Sequence, residues 1–190
     1  ALPISYLPIT YFNDDLIHAN HREKLECIFS TAPTIKGSDE ESVFIMAHLM
    51  FPHEPYIYDS DGNTIKDRKE WGDKDAYLEQ LQYASKKILE IVDQTLENST
   101  KEPVIIVMSD HGFRPGIDWK NPSDDNYRAA FNNLGAYYLP NQMDKLPETI
   151  SGVNIFRIIF NSYLGTEYEL LEDKHFWFDP DRPFDYTDVA

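Results

Sequence analysis

Five apolar residues, Val104 to Met108, run directly into Ser109-Asp110-His111-Gly112. A carboxylate beside an imidazole offers one hard and one borderline ligand, a pairing suited to Zn²⁺ or Mn²⁺. In open α/β sheets, ligands gather beyond the carboxyl ends of strands. Adjacent residues point to opposite faces of an extended chain, so both reach one ion only if the strand ends at Asp110 and the chain bends. Gly112 permits such a bend. The same four residues also fit an ordinary turn in which Asp110 bonds backbone amides and His111 packs, and spacing alone leaves both open.

A second apolar run, Val43 to Met50, leads into Phe51-Pro52-His53-Glu54-Pro55. The two prolines hold His53 in an extended loop just past the run. A neutral imidazole there is able to ligate a metal, donate to a phosphoryl or sulfuryl oxygen, or act as an acid, with purely local bonding as the alternative. Arg114 follows Asp110 by four residues and has the fork geometry to clamp an anion, unless it is simply solvated. His48 lies within the apolar run and is expected in the core with one nitrogen satisfied. His18 and His21, one helical turn apart, fit a solvated face better than a two-ligand site. His175 has no evident partner. The chain lacks G-x-S-x-G, a phosphate-binding Gly loop with Lys, H-E-x-x-H and the dinucleotide fingerprint. No Ser or Thr stands out as an activated nucleophile, and Cys27 falls mid-helix rather than at a helix N-terminus.

The elements that must position these groups read as α/β. An apolar arm with two prolines covers residues 1–13, and Asn13-Asp14-Asp15 then offers a cap and acidic first turn for a helix to about Ser30. After a polar loop at 31–42, residues 43–50 are apolar at nearly every position, as in a strand covered on both faces of a parallel sheet. Asp59-Ser60-Asp61-Gly62-Asn63 reads as a turn. Leu78, Leu81, Ser85, Ile88, Leu89, Val92 and Leu96 recur at three- and four-residue steps, predicting a long amphipathic helix over 74–98. Strand, helix and the strand at 104–108 form a crossover unit, so the two strands are expected parallel, with His53, Asp110 and His111 together at one sheet edge. A polar loop at 114–128, a strand at 134–139 stopped by Pro140, a helix from a Ser151 cap to Leu164, and an aromatic, acidic tail complete the chain.

With 190 residues, 42% of them apolar and 14% aromatic, the chain is expected to fold as one domain. Thirty-three acidic against seventeen basic residues give a formal charge of −16, which argues against nonspecific binding to nucleic acid or anionic lipid. One cysteine excludes an internal disulfide and a Cys-rich zinc module. No run approaches the roughly 18 apolar residues of a membrane span, so the chain itself is expected to be soluble and to make no membrane contact.

Taken together, VFIMAHLMFPHEPY (43–56), the 59–63 turn, the long helix, VIIVMSDHGFR (104–114) and the segments at 134–140 and 153–165 resemble the sulfatase and alkaline phosphatase superfamily. Within it the nearest are membrane-anchored sulfatase-like proteins of the lipoteichoic acid synthase and phosphoethanolamine transferase type. The resemblance implies a mostly parallel central sheet flanked by helices. It further implies that Asp110 and His111 are ligands of a catalytic divalent metal (Zn, Mn, Ca or Mg), and that His53, with Arg114 as a weaker match, contacts the phosphate or sulfate being transferred. Such enzymes act on phosphate or sulfate esters through a covalent intermediate on a metal-activated nucleophile. Residues 1–40 hold nothing like that nucleophile or the first acidic ligands. The chain is therefore expected to be the carboxyl-terminal part of a membrane-anchored parent working at the outer face of the cytoplasmic membrane or outside the cell, and inactive alone. A family-derived binding or structural module without catalysis is the rival expectation.

Overall fold

The computed structural model describes residues 14–38, 42–66, 69 and 71–189, so the expected arm at 1–13 lies outside the described residues. The chain divides into two compact units, residues 1–102 and 103–190. Helix and strand are both present, and among the described residues the two ladders, each of two strands, are antiparallel. No helix among the described residues is long and apolar enough to cross a membrane.

In the first unit, α1 (Asp14–Thr31) is followed by a single 3-10 turn, and α2 (Lys74–Asn98) keeps the bounds its periodicity predicts. Asp73 caps α2 by accepting from the Ala76 N–H at 3.0 Å. The core joins Leu25 and Phe29 of α1 to Ile57 and Tyr58, with Leu49, Phe51, Tyr83 and Ile91 packed around them. Phe51 is the aromatic hub, its ring centroid 6.0 Å from Phe29, 6.1 Å from Tyr58 and 6.2 Å from Tyr83. The Tyr58 hydroxyl donates to Glu26 Oε1 at 2.6 Å, and burial together with that carboxylate pushes the phenol far above its ordinary pKa. Below it the 59–63 turn closes on the Tyr58 to Thr64 bridge, and Asp59 accepts from the Asn63 side chain and from the Asp61 and Asn63 amides, which lowers its pKa. Gly62 has φ +86°, and a Cβ there would lie 2.5 Å from the Tyr83 ring, so both the conformation and the space require glycine.

Two expectations are corrected here. Residues 43–50 form no strand: Phe44 and Met46 are 85% and 78% exposed, His48 is exposed rather than in the core, and only Leu49 reaches the core cluster. A run of apolar residues is needed for a covered strand but does not supply the neighbouring strands, and no ladder forms on this segment among the described residues. The buried side of α2 is also not the leucine stripe: Ala76, Gln80 and Ala84 are buried, whereas Leu78, Leu89 and Leu96 are exposed. Small residues win that face because the 51–58 backbone lies close against it.

In the second unit, β1 (Ile105–Met108) pairs antiparallel with β2 (Gly135–Tyr138), Ile105 opposite Tyr138 and Met108 opposite Gly135. The parallel partner expected for β1 at 43–50 is therefore not formed, and the parallel central sheet is absent among the described residues. Between the strands lies α3 (Asp124–Phe131), a helix that starts inside the stretch 114–128 expected as polar loop and runs past its end. Its signal is Ser123 and Asn126, which form a reciprocal capping box ahead of two acidic first-turn residues. The helix α4 (Gly152–Tyr163) packs Ile155 and Ile159 with Leu139 against Ile106, Tyr137 and Phe156. Ser151 occupies its N-cap without a side-chain cap bond; Asp173 instead accepts from the Ser151 N–H at 3.2 Å and the Asn154 side chain at 2.7 Å. The Ser151 hydroxyl beside it, then the Asn154 side chain and the Ser151 N–H, hold the Asp173 carboxyl below its ordinary pKa. The tail is a hairpin of β3 (Phe176–Phe178) and β4 (Tyr186–Asp188), whose inward Trp177 stacks on Trp119 at 4.8 Å and donates from Nε1 to the Trp119 carbonyl at 3.1 Å.

Candidate functional site

The turn after β1 is built by backbone groups. Beyond the last ladder pair, the Ser109 N–H donates to the Leu134 carbonyl at 3.0 Å, and the Leu134 N–H donates to the Ser109 hydroxyl at 2.8 Å. The Asn133 side chain donates to the Ser109 carbonyl at 3.1 Å. The Gly112 N–H then donates to the Ala130 carbonyl at 2.9 Å, docking the turn on the end of α3. A Cβ on Gly112 would sit 2.0 Å from the Ala129 carbonyl oxygen and 2.8 Å from that of Asn132. Gly112 is thus required by close approach rather than by the sharp bend its sequence context suggests.

Held this way, His111 and Asp110 face one another. His111 Nδ1 lies 2.7 Å from the Gly112 carbonyl, which only accepts, so Nδ1 carries a hydrogen and, in the neutral imidazole, the lone pair is on Nε2. Nε2 is 3.5 Å from Asp110 Oδ2, close to the about 3.4 Å edge of a tetrahedron with ligand distances near 2.1 Å. The Asp110 side chain is 85% exposed, so the gap between nitrogen and oxygen opens to solvent. Two lone pairs facing one gap attract a cation, either a proton shared as an ion pair or a metal ion, and the Nδ1 bond to a backbone carbonyl is the support metal-bound imidazoles ordinarily have. No group of three or more His, Cys, Asp or Glu residues placed to hold a metal occurs among the described residues.

His53 lies in the first unit, in the loop after the exposed 43–50 segment. Its Nδ1 donates to the Glu54 carbonyl at 2.8 Å and lies 3.3 Å from the Glu54 carboxylate, which leaves Nε2 outward on a side chain 45% exposed. The loop is clamped from α2. Gln80 Oε1 accepts from the Ile57 N–H at 2.7 Å and the Tyr58 N–H at 3.2 Å, and Nε2 donates to the carbonyls of His53 at 3.0 Å, Pro52 at 3.2 Å and Pro55 at 3.4 Å. Gln80 escaped sequence reasoning because a glutamine amid an apolar pattern reads as an exposed position. Its signal is the pair of alanines one turn either side.

Arg114 is exposed in the loop beyond the turn; its carbonyl accepts from the Ile117 N–H at 3.2 Å, and its guanidinium makes no bond to another described residue. His175 packs its ring 5.2 Å from Phe131. Of the expected site residues, the structure brings Asp110 and His111 together in the second unit and places His53 in the first. Comparison of the chain with protein-family models, with curated proteins and with solved structures finds no match.

Proposed function

We propose that the chain carries part of a metal-dependent centre that handles phosphate or sulfate esters, with Asp110 and His111 as two ligands of a divalent cation. The observation that carries this is the 3.5 Å approach of His111 Nε2 to Asp110 Oδ2, with Nδ1 already committed to the Gly112 carbonyl. When bound, the cation would act as a Lewis acid on an oxygen of the transferring group. Asp110 supplies the negative oxygen, and His111 the neutral nitrogen whose orientation the Gly112 carbonyl sets. His53, its Nδ1 occupied, uses Nε2 toward an anion, donating once that nitrogen is protonated, and Arg114, whose guanidinium bonds no other described residue, meets the same charge. The likeness of 43–56 and 104–114 to the sulfatase and alkaline phosphatase superfamily supports the ester class and, with it, an anchored parent acting at the outer face of the cell membrane or beyond it. In this reading the nucleophile and further ligands come from outside these residues, and the chain alone turns over no ester.

The test is calorimetric titration of the chain with Zn²⁺ and Mn²⁺, beside Asp110→Asn and His111→Gln, with a chromogenic phosphodiester and a sulfate ester as substrates. Weak binding is expected, lost at least about tenfold in either variant and weakening with acid, because protons compete for the imidazole lone pair. Binding that both variants leave unchanged would overturn the metal assignment. Turnover by the chain that disappears in Asp110→Asn would overturn the proposal that ligands and nucleophile are missing.

A further inference from the structure

Gln80 is completely buried, and every polar atom of its amide is used on one loop. Its oxygen meets two N–H groups and its nitrogen three carbonyls, so the amide orientation is fixed by its partners; the reversed orientation would set donors against donors and acceptors against acceptors. Ala76 and Ala84, one turn before and after on the same face, are buried at 4% and 2% exposure and carry too little side chain to hold the backbone off the helix. Of the residues bonded to Gln80, Pro52, Pro55 and Ile57 have no polar side chain and the Tyr58 hydroxyl is already engaged with Glu26, which leaves the His53 imidazole as the side chain on this loop able to meet a ligand. From this we infer that Gln80 is the positioning residue for His53: it fixes the backbone from which the imidazole projects, without touching the ring. The functional consequence rests on the anion contact proposed above.

The two halves of the amide separate the test from general stability. In Gln80→Glu, followed at a pH where the new carboxyl is ionised, the oxygen that accepts from Ile57 and Tyr58 is retained, while a second oxygen replaces the donor to Pro52, His53 and Pro55. Gln80→Leu removes both halves. With the full chain, the His53 ring is followed by long-range ¹H–¹⁵N correlation and by titration with inorganic phosphate, and the Ile57 and Tyr58 amides by hydrogen exchange. Gln80→Glu is expected to shift or broaden the His53 ring signals and weaken phosphate binding about tenfold, while Ile57 and Tyr58 stay within about threefold of wild-type protection. In Gln80→Leu those amides are expected to exchange at least about tenfold faster. Wild-type ring signals in Gln80→Glu would overturn the inference, as would unfolding of both variants, which would make Gln80 a residue of the whole fold. If phosphate leaves the wild-type ring unmoved while the variants still displace it, Gln80 keeps its positioning role and the anion contact of His53 is what fails.

Discussion

The loop at 51–58 hangs on the side chain of Gln80, whereas the turn at 109–112 is held by successive backbone groups, the Ser109 hydroxyl and the Asn133 amide. In the first case five bonds converge on one amide brought from α2, more than twenty residues away. In the second the bonds are spread over Leu134, Asn133 and Ala130, and the demand on side-chain identity falls on a residue that must have no side chain. A clamp concentrated in one buried side chain is lost entirely with one substitution. A backbone clamp tolerates most substitutions and fails only where a Cβ enters the contact.

Breaking the first clamp has the largest expected effect. Gln80→Leu leaves buried N–H and carbonyl groups unsatisfied and is expected to cost about 3 kcal/mol or more in urea denaturation, within the range for several such groups. Gly112→Ala breaks the second clamp by overpacking the turn against α3, expected at about 2 kcal/mol with the His111 ring displaced in the same NMR spectrum. If Gly112→Ala were neutral, the close approach to Ala129 would not be what seats the turn. Ser109→Ala sharpens the contrast: only the hydroxyl acceptor for the Leu134 N–H goes while the other backbone bonds stay, so about 1 kcal/mol is expected, with metal affinity nearly unchanged.

The smallest effect concerns pH. The folded Asp173 carboxyl titrates below its unfolded value because of its bonds to Ser151 and Asn154. Its contribution is therefore present above the unfolded carboxylate range and is lost as pH falls through the folded pKa. Asp173→Asn is expected to be less stable than wild type at neutral pH, with the difference vanishing in acid. A difference that persists undiminished in acid would show that Asn fails for steric reasons instead.

Local pattern was enough wherever neighbours in sequence set the outcome. The 3.6-residue recurrence placed α2, the apolar run before Ser109 placed β1, and the prolines around His53 placed a loop. The adjacency of Asp110 and His111 after a strand was likewise legible. Their mutual facing was not, since it depends on the Gly112 carbonyl turning the ring and on α3, whose capping box sits in a stretch polar enough to read as loop. The two apolar segments 43–50 and 104–108, of similar composition, met different fates: the second found a partner in β2 and the first lies exposed. Composition determined that both were able to pair. Which strand pairs, in which direction, and whether a buried glutamine or a leucine faces the loop are decided by distant backbone hydrogen bonds and close packing, which no local pattern encodes.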